Sequence, residues 1–450
     1  MNLKIPQNYQ GIIEKLIKVA KDNNYVIYAV GGFVRDMILN REPKDLDIMV
    51  EGENAGIEFS KKVAESLKIS QPVTFEKFAT SKLEIVGHEI EFIMPRKEYY
   101  DENSRNPNTE IGTLQQDALR RDFTVNALFL RLNDFELLDL TGKGMKDIEN
   151  KIIRVTDETA ADIIFAQDPL RILRAVRQSF QLNFKIENKT YQSMKNNAKR
   201  IKIVSGERIR DELNKMLLQE KPSQAINMLD DIGMLKEILP ELKNTQNITQ
   251  PTLYHDKDVY GHSLAVLDGV KADIVLRVAA LLHDIGKPAV RTEINGKISF
   301  ISHEKKSVEL AQNILLRLKY PAEFIKQVCF LIEQHMYPKN YEPVWKDSAV
   351  RKFVYKMGEN LENIKDLYFA DCGKKQNKND LFDRVHNLKE NNLLVKGEDL
   401  IDGIELMKIF GKPQGKWIGD AKNLIKDMQF DNPQITKIEV LEKLKKILKI

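Results

Sequence analysis

The chain has 450 residues and only two cysteines, Cys329 and Cys372. Two are too few for a disulfide framework, and neither has the spacing of a metal-binding cysteine motif. No apolar run approaches the length that crosses a membrane, and the start, MNLKIPQNYQ, lacks the apolar core of a signal peptide. These absences argue against a secreted disulfide scaffold and a membrane protein. They predict a cytoplasmic, multidomain protein without membrane attachment, and its length suggests about three domains.

A large excess of one charge is also missing. The 70 lysines and arginines nearly balance 66 aspartates and glutamates, so the net charge of +4 does not by itself indicate nucleic-acid binding. The distribution is more informative, because 13 basic residues stand against 5 acidic residues between Arg171 and Lys221. This local excess of +8 predicts a surface that follows a phosphate backbone, with a solvated helix face as the alternative.

The most informative feature that is present is the segment 25–50, which contains YAVGGFVRDMILNREPKDLDIMV. Its first six residues are apolar enough for a buried strand, and Gly31 and Gly32 let the backbone approach a phosphate at the start of the next helix. In the following strand Asp45 and Asp47 are two residues apart, so both carboxylates lie on one face. Two oxygen ligands on a rigid strand predict a Mg²⁺ site. Solvated loop aspartates are the alternative, and the combined pattern argues against them.

A third carboxylate is predicted nearby. Residues 88–93, HEIEFI, have the pattern of another strand, and Glu91 would bring its carboxylate beside the pair, as two-metal transfer to a hydroxyl requires. Glu84 and Glu89 are rival candidates for this position.

The segment RRDFTVNA, residues 120–127, carries groups suited to a nucleotide. Arg120 and Arg121 can hold a triphosphate, because the planar guanidinium binds two oxygens at once. Asp122 and Asn126 can bind sugar hydroxyls.

Base selection is predicted for the segment QDPLRILR, residues 167–174, in which Asp168, Arg171 and Arg174 are three residues apart on one helix face. Cytosine and adenine both present an amino donor beside a ring-nitrogen acceptor, so one aspartate and one arginine would accept them and reject uracil and guanine. No nucleic-acid template would be needed. The alternative is structural, since an aspartate before proline at a helix start is a natural cap.

The later half of the chain contains a second set of candidate ligands. An adjacent His-Asp pair with further histidines and a late aspartate resembles the HD phosphohydrolase superfamily, in which such positions bind one or two metals. Imidazole and carboxylate together suit Mn²⁺, Fe²⁺, Ni²⁺ or Zn²⁺, and a metal-bound hydroxide would attack a phosphoester. The alternatives are satisfied core histidines or a metal that only joins helices. The set is His262, His283, Asp284, His303, His335 and Asp371.

The pattern of apolar residues predicts an α+β fold. Strands and short helices alternate as far as Asp139, and from Gly142 onward nearly every segment has the helical period. The polar stretches 243–260 and 372–380 are predicted boundaries, and residues 100–116 are predicted to form a mobile loop. The clearest later helices are predicted at Asp168 to Leu182, Gly206 to Gln219 and Ala322 to His335.

Several motifs together resemble one known family. GGFVRD, DLD, EFIMPRKEYY, RRDFTVNA and QDPLRILRAVR, in this order, resemble the class II tRNA nucleotidyltransferases and bacterial poly(A) polymerases, a branch of the polymerase-β-like nucleotidyltransferases. The similarity runs from about Tyr25 to Asp211 and resumes near His262. Gln167 departs from the pattern, because the family has a glutamate there, and this change bears on how Arg171 is positioned.

The resemblance implies a polymerase-β-like head at residues 1–140, a helical neck and RNA-binding region at 141–245, an HD domain at 246–372 and a helical tail at 373–450. It implies Mg²⁺-dependent addition of CMP and AMP from CTP and ATP to the 3′ end of tRNA. CC-adding, A-adding and poly(A)-synthesising members share these motifs, and the alternatives from other classes are an HD phosphohydrolase and a degraded RNA-binding scaffold. The oligomeric state stays open. The implied catalytic residues are Asp45, Asp47 and Glu91, and the implied nucleotide contacts are Gly31, Gly32, Arg35, Asp36, Arg120, Arg121, Asp122, Asn126, Asp168, Arg171 and Arg174.

Overall fold

A computed structural model describes residues 3–99, 108–250, 258–373, 380–395 and 399–448. The chain divides into two compact units, residues 1–240 and 241–450.

The first unit begins with a mixed α+β head. Two 3₁₀ helices, Glu76–Phe78 and Thr124–Asn126, interrupt it. Its other elements are α1 (Gln7–Asp22), β1 (Ile27–Val30), α2 (Gly32–Ile38), β2 (Leu46–Val50), α3 (Ala55–Leu67), β3 (Val73–Phe75), β4 (Thr80–Ile85), β5 (His88–Ile93), β6 (Arg96–Tyr99), β7 (Asn108–Ile111), α4 (Leu114–Arg120), β8 (Leu128–Arg131) and β9 (Glu136–Asp139).

Seven of these strands form one sheet in the order β3-β4-β5-β2-β1-β8-β9. Strands β2 and β5 run parallel, whereas the other neighbouring pairs are antiparallel. Helix α3 covers one face, where Ser60 and Ser81 share a 2.8 Å hydrogen bond and the rings of Phe59 and Phe92 lie 5.9 Å apart. The other face is only partly covered, by α4, whose Ala118 packs into a cluster with residues of β1, β2 and β8.

The rest of the first unit is almost entirely helical. Its only described strands form a parallel pair of two residues each, and a 3₁₀ helix spans Ala198–Ile203. The elements are α5 (Gly144–Asn150), β10 (Ile152–Ile153), α6 (Ala161–Gln167), α7 (Leu170–Leu182), β11 (Lys185–Ile186), α8 (Asn188–Asn197), α9 (Gly206–Leu217), α10 (Pro222–Asp231) and α11 (Leu235–Ile238).

In its described residues the second unit is helical apart from one hairpin, and its last three helices share a core of their own around Leu406, Ile425 and Val440. Its 3₁₀ helices are Pro338–Asn340 and Gly358–Asn360. From the boundary onward the elements are α12 (Pro240–Lys243), α13 (Val259–Gly269), α14 (Ile274–Leu282), α15 (Lys287–Val290), β12 (Thr292–Ile294), β13 (Lys297–Ser299), α16 (His303–Arg317), α17 (Ala322–Gln334), α18 (Asp347–Met357), α19 (Leu361–Cys372), α20 (Asp380–Glu390), α21 (Gly403–Phe410), α22 (Lys416–Asp431) and α23 (Lys437–Leu448).

Within the described ranges, no helix combines the length and the apolar character that a membrane span needs.

The predicted α+β head with a helical remainder is confirmed. The prediction of one loop over residues 100–116 is wrong for its second half. There β7 pairs with β6, and α4 begins at Leu114 because Thr113 and Gln116 cap each other's backbone N–H groups. Residues 100–107 of that loop lie outside the described residues, as do 251–257 and 374–379 within the two predicted boundaries.

Candidate active site and metal centre

Two carboxylates stand side by side on the open face of the head sheet. Asp47 on β2 and Glu91 on β5 are direct partners in the parallel register, so their side chains project from the same face. Asp45 lies one residue before β2, and it is close enough to Asp47 for its charge to raise the pKa of that carboxylate. The structure therefore brings together the three carboxylates that the sequence predicts.

The register separates Glu91 from its two rivals. Glu84 and Glu89 are partners of each other on β4 and β5, one row closer to the turn that joins these strands. Lys82 donates a 2.6 Å hydrogen bond from Nζ to Glu89 Oε1. Of the three candidates, Glu91 is the direct neighbour of Asp47.

The electrostatics of this cluster favour a cation. Burial raises the pKa of Asp47 to about 6, and the charges of Glu91 and Asp45 add to the rise, while Arg121 opposes it. Because the repulsion comes from clustered carboxylate oxygens, the donor set fits a hard divalent ion such as Mg²⁺.

A glycine holds the backbone close to this cluster. Gly31 has φ of +74°, in the left-handed region that favours glycine. A Cβ atom at this position would lie 3.2 Å from Arg121 Nη1 and 4.0 Å from Asp47 Oδ2. The space beside Asp47 on the β1 side is thus bordered by the Gly31 backbone, which carries no side chain, and by the Arg121 guanidinium. A space of this kind suits a phosphate.

A residue that was not among the predicted site residues, Asp117, orients the two predicted triphosphate arginines. Asp117 on α4 is fully buried, and it accepts hydrogen bonds from Arg120 Nε at 2.8 Å and from Arg121 Nε at 3.0 Å. The Arg121 guanidinium also lies 5.1 Å from the centre of the Phe129 ring. The available signal is the spacing in DALRR, which places one aspartate three and four residues before two arginines on a helix.

A buried polar network joins the head to α7. Arg35 Nη1 donates to Asn126 Oδ1 at 2.6 Å, and Asn126 Nδ2 donates to Asp122 Oδ1 at 3.0 Å and to Gln178 Oε1 at 2.9 Å. Arg174 Nε donates to Asp122 Oδ2 at 2.7 Å. Burial alone would raise the pKa of Asp122, but Arg174 and Asn126 outweigh it and hold that pKa well below its usual range. Gln178 has no signal in the sequence beyond its position on the helix.

Two members of the GGFVRD motif contact each other. Arg35 donates from Nε to Asp36 Oδ1 at 2.8 Å, and the Arg35 side chain is buried. Their predicted contact with a nucleotide stays a prediction.

The predicted base-reading residues lie at the start of α7, with one correction. Helix α7 begins at Leu170, so the prediction that Asp168 belongs to it is wrong. Asp168 instead precedes the helix, accepts the Leu170 N–H at 3.2 Å and pairs with Arg208 Nη2 at 3.0 Å. Arg171 Nη2 donates to the backbone carbonyl of Arg120 at 2.8 Å. Arg174, the third predicted base-reading residue, belongs to the buried polar network through its hydrogen bond to Asp122.

In the second unit, all six predicted HD side chains are buried together. His262 Nε2 lies 2.9 Å from Asp371 Oδ1. Asp284 is central, since its Oδ2 lies 3.2 Å from His283 Nε2 and its Oδ1 lies 3.2 Å from His303 Nε2. Two groups have ligand atoms within 4.8 Å of one another, and they share this aspartate: His262, His283 and Asp284, and Asp284, His303 and His335.

Backbone hydrogen bonds turn three of these imidazoles toward the centre. The Nδ1 atoms of His283, His303 and His335 lie 2.8, 2.9 and 2.6 Å from backbone carbonyl oxygens. Carbonyls accept only, so each Nδ1 carries a proton, and each Nε2 faces the ligand atoms at the centre, as in metal sites. Burial and, to a smaller extent, the neighbouring His283 lower the pKa of His335 to about 3, so the His335 imidazole is neutral at physiological pH. Among the described atoms His283 Nε2 is buried without a hydrogen bond, which fits a metal ligand.

Comparisons with known proteins agree with this geometry. The family described as "Poly A polymerase head domain" matches residues 27–154, "Probable RNA and SrmB- binding site of polymerase A" matches 183–245, and "HD domain" matches 254–372. An A-adding tRNA nucleotidyltransferase of Deinococcus radiodurans is 33% identical over 329 residues, which cover 68% of this chain and 73% of that protein. The chain belongs to the tRNA nucleotidyltransferase family.

Further members of this family match over greater lengths. A CC-adding tRNA nucleotidyltransferase of Thermus thermophilus is 27% identical and covers 92% of this chain and 91% of its own length. The solved structure of the Bacillus stearothermophilus CCA-adding enzyme in complex with CTP superposes with a TM-score of 0.70 at 20% identity, over 99% of this chain and all of that one. This chain therefore shares its fold with the CCA-adding enzyme over 99% of its length.

Proposed function

We propose that this chain adds CMP and AMP from CTP and ATP to the 3′ end of tRNA without a nucleic-acid template. The relatives that support this proposal are named for adding A, for adding CC or for adding CCA. The observation that carries it is the pairing of Asp47 with Glu91 beside the bare backbone of Gly31 and the guanidinium of Arg121.

In the proposed reaction Asp45 and Asp47 would hold Mg²⁺. When bound, the ion neutralises charge on the α-phosphate and the leaving group. Glu91 orients the RNA 3′-hydroxyl and accepts its proton. The hydroxyl oxygen then forms a bond to the α-phosphorus while the bond to the bridging oxygen breaks, and pyrophosphate leaves. The charge on that leaving group is offset by the arginines that Asp117 orients.

Asp168 and Arg171 are the proposed readers of the base. The Asp168 carboxylate would accept the exocyclic amino group of cytosine or adenine, and Arg171 would donate to the adjacent ring nitrogen. Arg171 uses one N–H for the Arg120 carbonyl, and a guanidinium has five, so donors remain for a base.

The number of nucleotides added is tested with tRNA transcripts that end before the first C, after C, after CC and after CCA. Each transcript is incubated with Mg²⁺ and one labelled nucleoside triphosphate. We expect C on the first two, A only on the third and nothing on the fourth. A protein that adds A only, CC only or a long A tract would correct the proposal to that member of the family.

The HD centre supports a second candidate function, a metal-dependent phosphohydrolase. The Nε2 atoms at the centre and the shared Asp284 would hold a divalent transition metal, which would activate water for attack on a phosphoester. Release of phosphate from phosphomonoesters or cyclic phosphates, tested with Mn²⁺, Fe²⁺, Ni²⁺ and Zn²⁺ in turn, would support this function. Absence of hydrolysis with all four would leave a structural role. Cytoplasmic location, expected from the sequence, stays a prediction.

A further inference from the structure

We infer that the outer part of the catalytic sheet face binds the last nucleotides of the acceptor RNA. This part is formed by Val73 and Phe75 on β3 and Lys82 on β4, and we call it the outer strip. The inference rests on the proposed function and adds where the RNA that carries the attacking 3′-hydroxyl binds.

The direction of the reaction selects this side of the sheet. In an in-line displacement, the attacking hydroxyl and the leaving pyrophosphate stand on opposite sides of the α-phosphate. Gly31 and Arg121, which suit the triphosphate, lie on the β1 side of Asp47. The hydroxyl must therefore approach from the other side, where Glu91 is the first side chain.

The strand register leads from the carboxylates straight to the outer strip. Asp47 is paired with Glu91, Glu91 with Lys82, and Lys82 with Val73, so these four side chains form one row on one face. Strands are about 4.8 Å apart, which puts Val73 about 10 Å beyond Glu91. This distance corresponds to a few nucleotides at about 3.4 Å each.

The strip has the chemistry of a single-stranded nucleic-acid site. Val73 is 62% exposed and Phe75 is 43% exposed, although an edge strand that shows apolar side chains is an aggregation risk that proteins usually avoid. Nucleic-acid bases stack on such aromatic side chains without regard to sequence. Lys82 is half-exposed, and its ion pair with Glu89 lies at the surface, where such pairs are weak enough to exchange for a phosphate.

The charged side chains on the same face favour one path for the RNA strand. Glu84 and Glu89 occupy the row toward the β4–β5 turn, where they would repel phosphates. The row on the other side of Lys82 contains Phe75 and its partner Thr80, which carry no charge. The RNA strand would therefore pass over Lys82 toward Phe75.

The test measures steady-state nucleotide addition by Phe75→Ala and Lys82→Ala in the full-length protein, varying tRNA and CTP separately. We expect the KM for tRNA to rise roughly fivefold to a hundredfold in Phe75→Ala, because one stacking contact is lost. The KM for CTP should stay within about twofold. Phe75→Trp should restore the KM for tRNA. In Lys82→Ala, the slope of log KM for tRNA against log salt should fall by about 0.7, since one phosphate contact is lost.

Two variants provide matched controls. Phe135→Ala removes a similarly exposed ring at the β8–β9 turn, near the far edge of the sheet. Lys62→Ala removes an exposed lysine of α3, which covers the opposite face. A KM for tRNA in Phe75→Ala and a salt slope in Lys82→Ala equal to those of the controls would overturn the inference, whereas a wild-type protein that adds no nucleotide would overturn the proposed function itself.

Discussion

Replacing Asp47 with asparagine should stabilise the metal-free protein while it abolishes nucleotide addition. The pKa of Asp47 rises from 3.8 to about 6, because burial and the charges of Glu91 and Asp45 disfavour its ionised form. A rise of this size means that ionised Asp47 costs the fold about 3 kcal/mol at neutral pH. Asparagine has nearly the same shape and no charge. The increase in the free energy of unfolding should approach this value without exceeding it, because the asparagine amide still has to be buried.

The sign of the pH dependence follows from the direction of the shift. Between pH 3.8 and about 6 the folded state binds more protons than the unfolded state at Asp47, so the wild type loses stability as the pH rises through this range. The extra stability of Asp47→Asn relative to the wild type should be at its full value above pH 6 and absent below pH 4. Saturating Mg²⁺ should reduce it, since bound cation stabilises only the protein with the intact carboxylates.

Thermal melting in EDTA at pH 8 and pH 4 measures this difference. A gain of about 3 kcal/mol corresponds to a melting temperature roughly 6 to 12 °C higher for a unit of this size. Glu65→Gln, at an exposed position on α3, serves as the control for loss of one negative charge. If Asp47→Asn melts at or below the wild-type temperature at pH 8 without metal, the reasoning that the carboxylates crowd into a cation site is refuted.

Three further predictions concern the supporting residues. Asp117→Asn should lower the free energy of unfolding by about 3 to 5 kcal/mol and raise the KM for CTP, because two arginines lose a buried acceptor. Urea unfolding measures the change in stability, and initial rates measure the KM. An unchanged KM for CTP would contradict the orienting role of Asp117. Asp168→Ala should increase UMP and GMP incorporation relative to CMP more than it raises the KM for CTP, and unchanged selectivity in a competition assay would leave Asp168 as a helix cap. His283→Ala should lose bound transition metal in elemental analysis while nucleotide addition persists, and loss of addition from the folded variant would show that the HD centre supports the transferase.

The parts of the fold that were predictable from the sequence depend on local pattern. The strands that carry Asp47 and Glu91 and the helical second half follow from periodicity, and they are confirmed. The spacing of Asp45 and Asp47 also indicated a shared face. The pairing of Asp47 with Glu91 could not be derived in this way, because register between strands 44 residues apart depends on the whole sheet.

The contacts that orient the site were harder to predict. Gln178 reaches Asn126 from a helix 52 residues away, and Arg208 reaches Asp168 from 40 residues away. Such polar pairs depend on helix packing, and a single sequence carries no pattern for them. Asp117 is different, since its helical spacing to the arginines is visible in the sequence, although that spacing does not distinguish a buried ion pair from one at the surface.

The most direct test compares Asp45→Ala with the wild type in two assays on the same tRNA that lacks its 3′ end. One assay measures nucleotide incorporation with Mg²⁺, and the other measures the Kd for the tRNA by filter binding. We predict that incorporation falls by about a thousandfold or more, since a metal ligand is lost, while the Kd changes by less than about twofold because no basic contact is removed. Incorporation within a few-fold of the wild type would contradict the central claim that these carboxylates form the catalytic metal site.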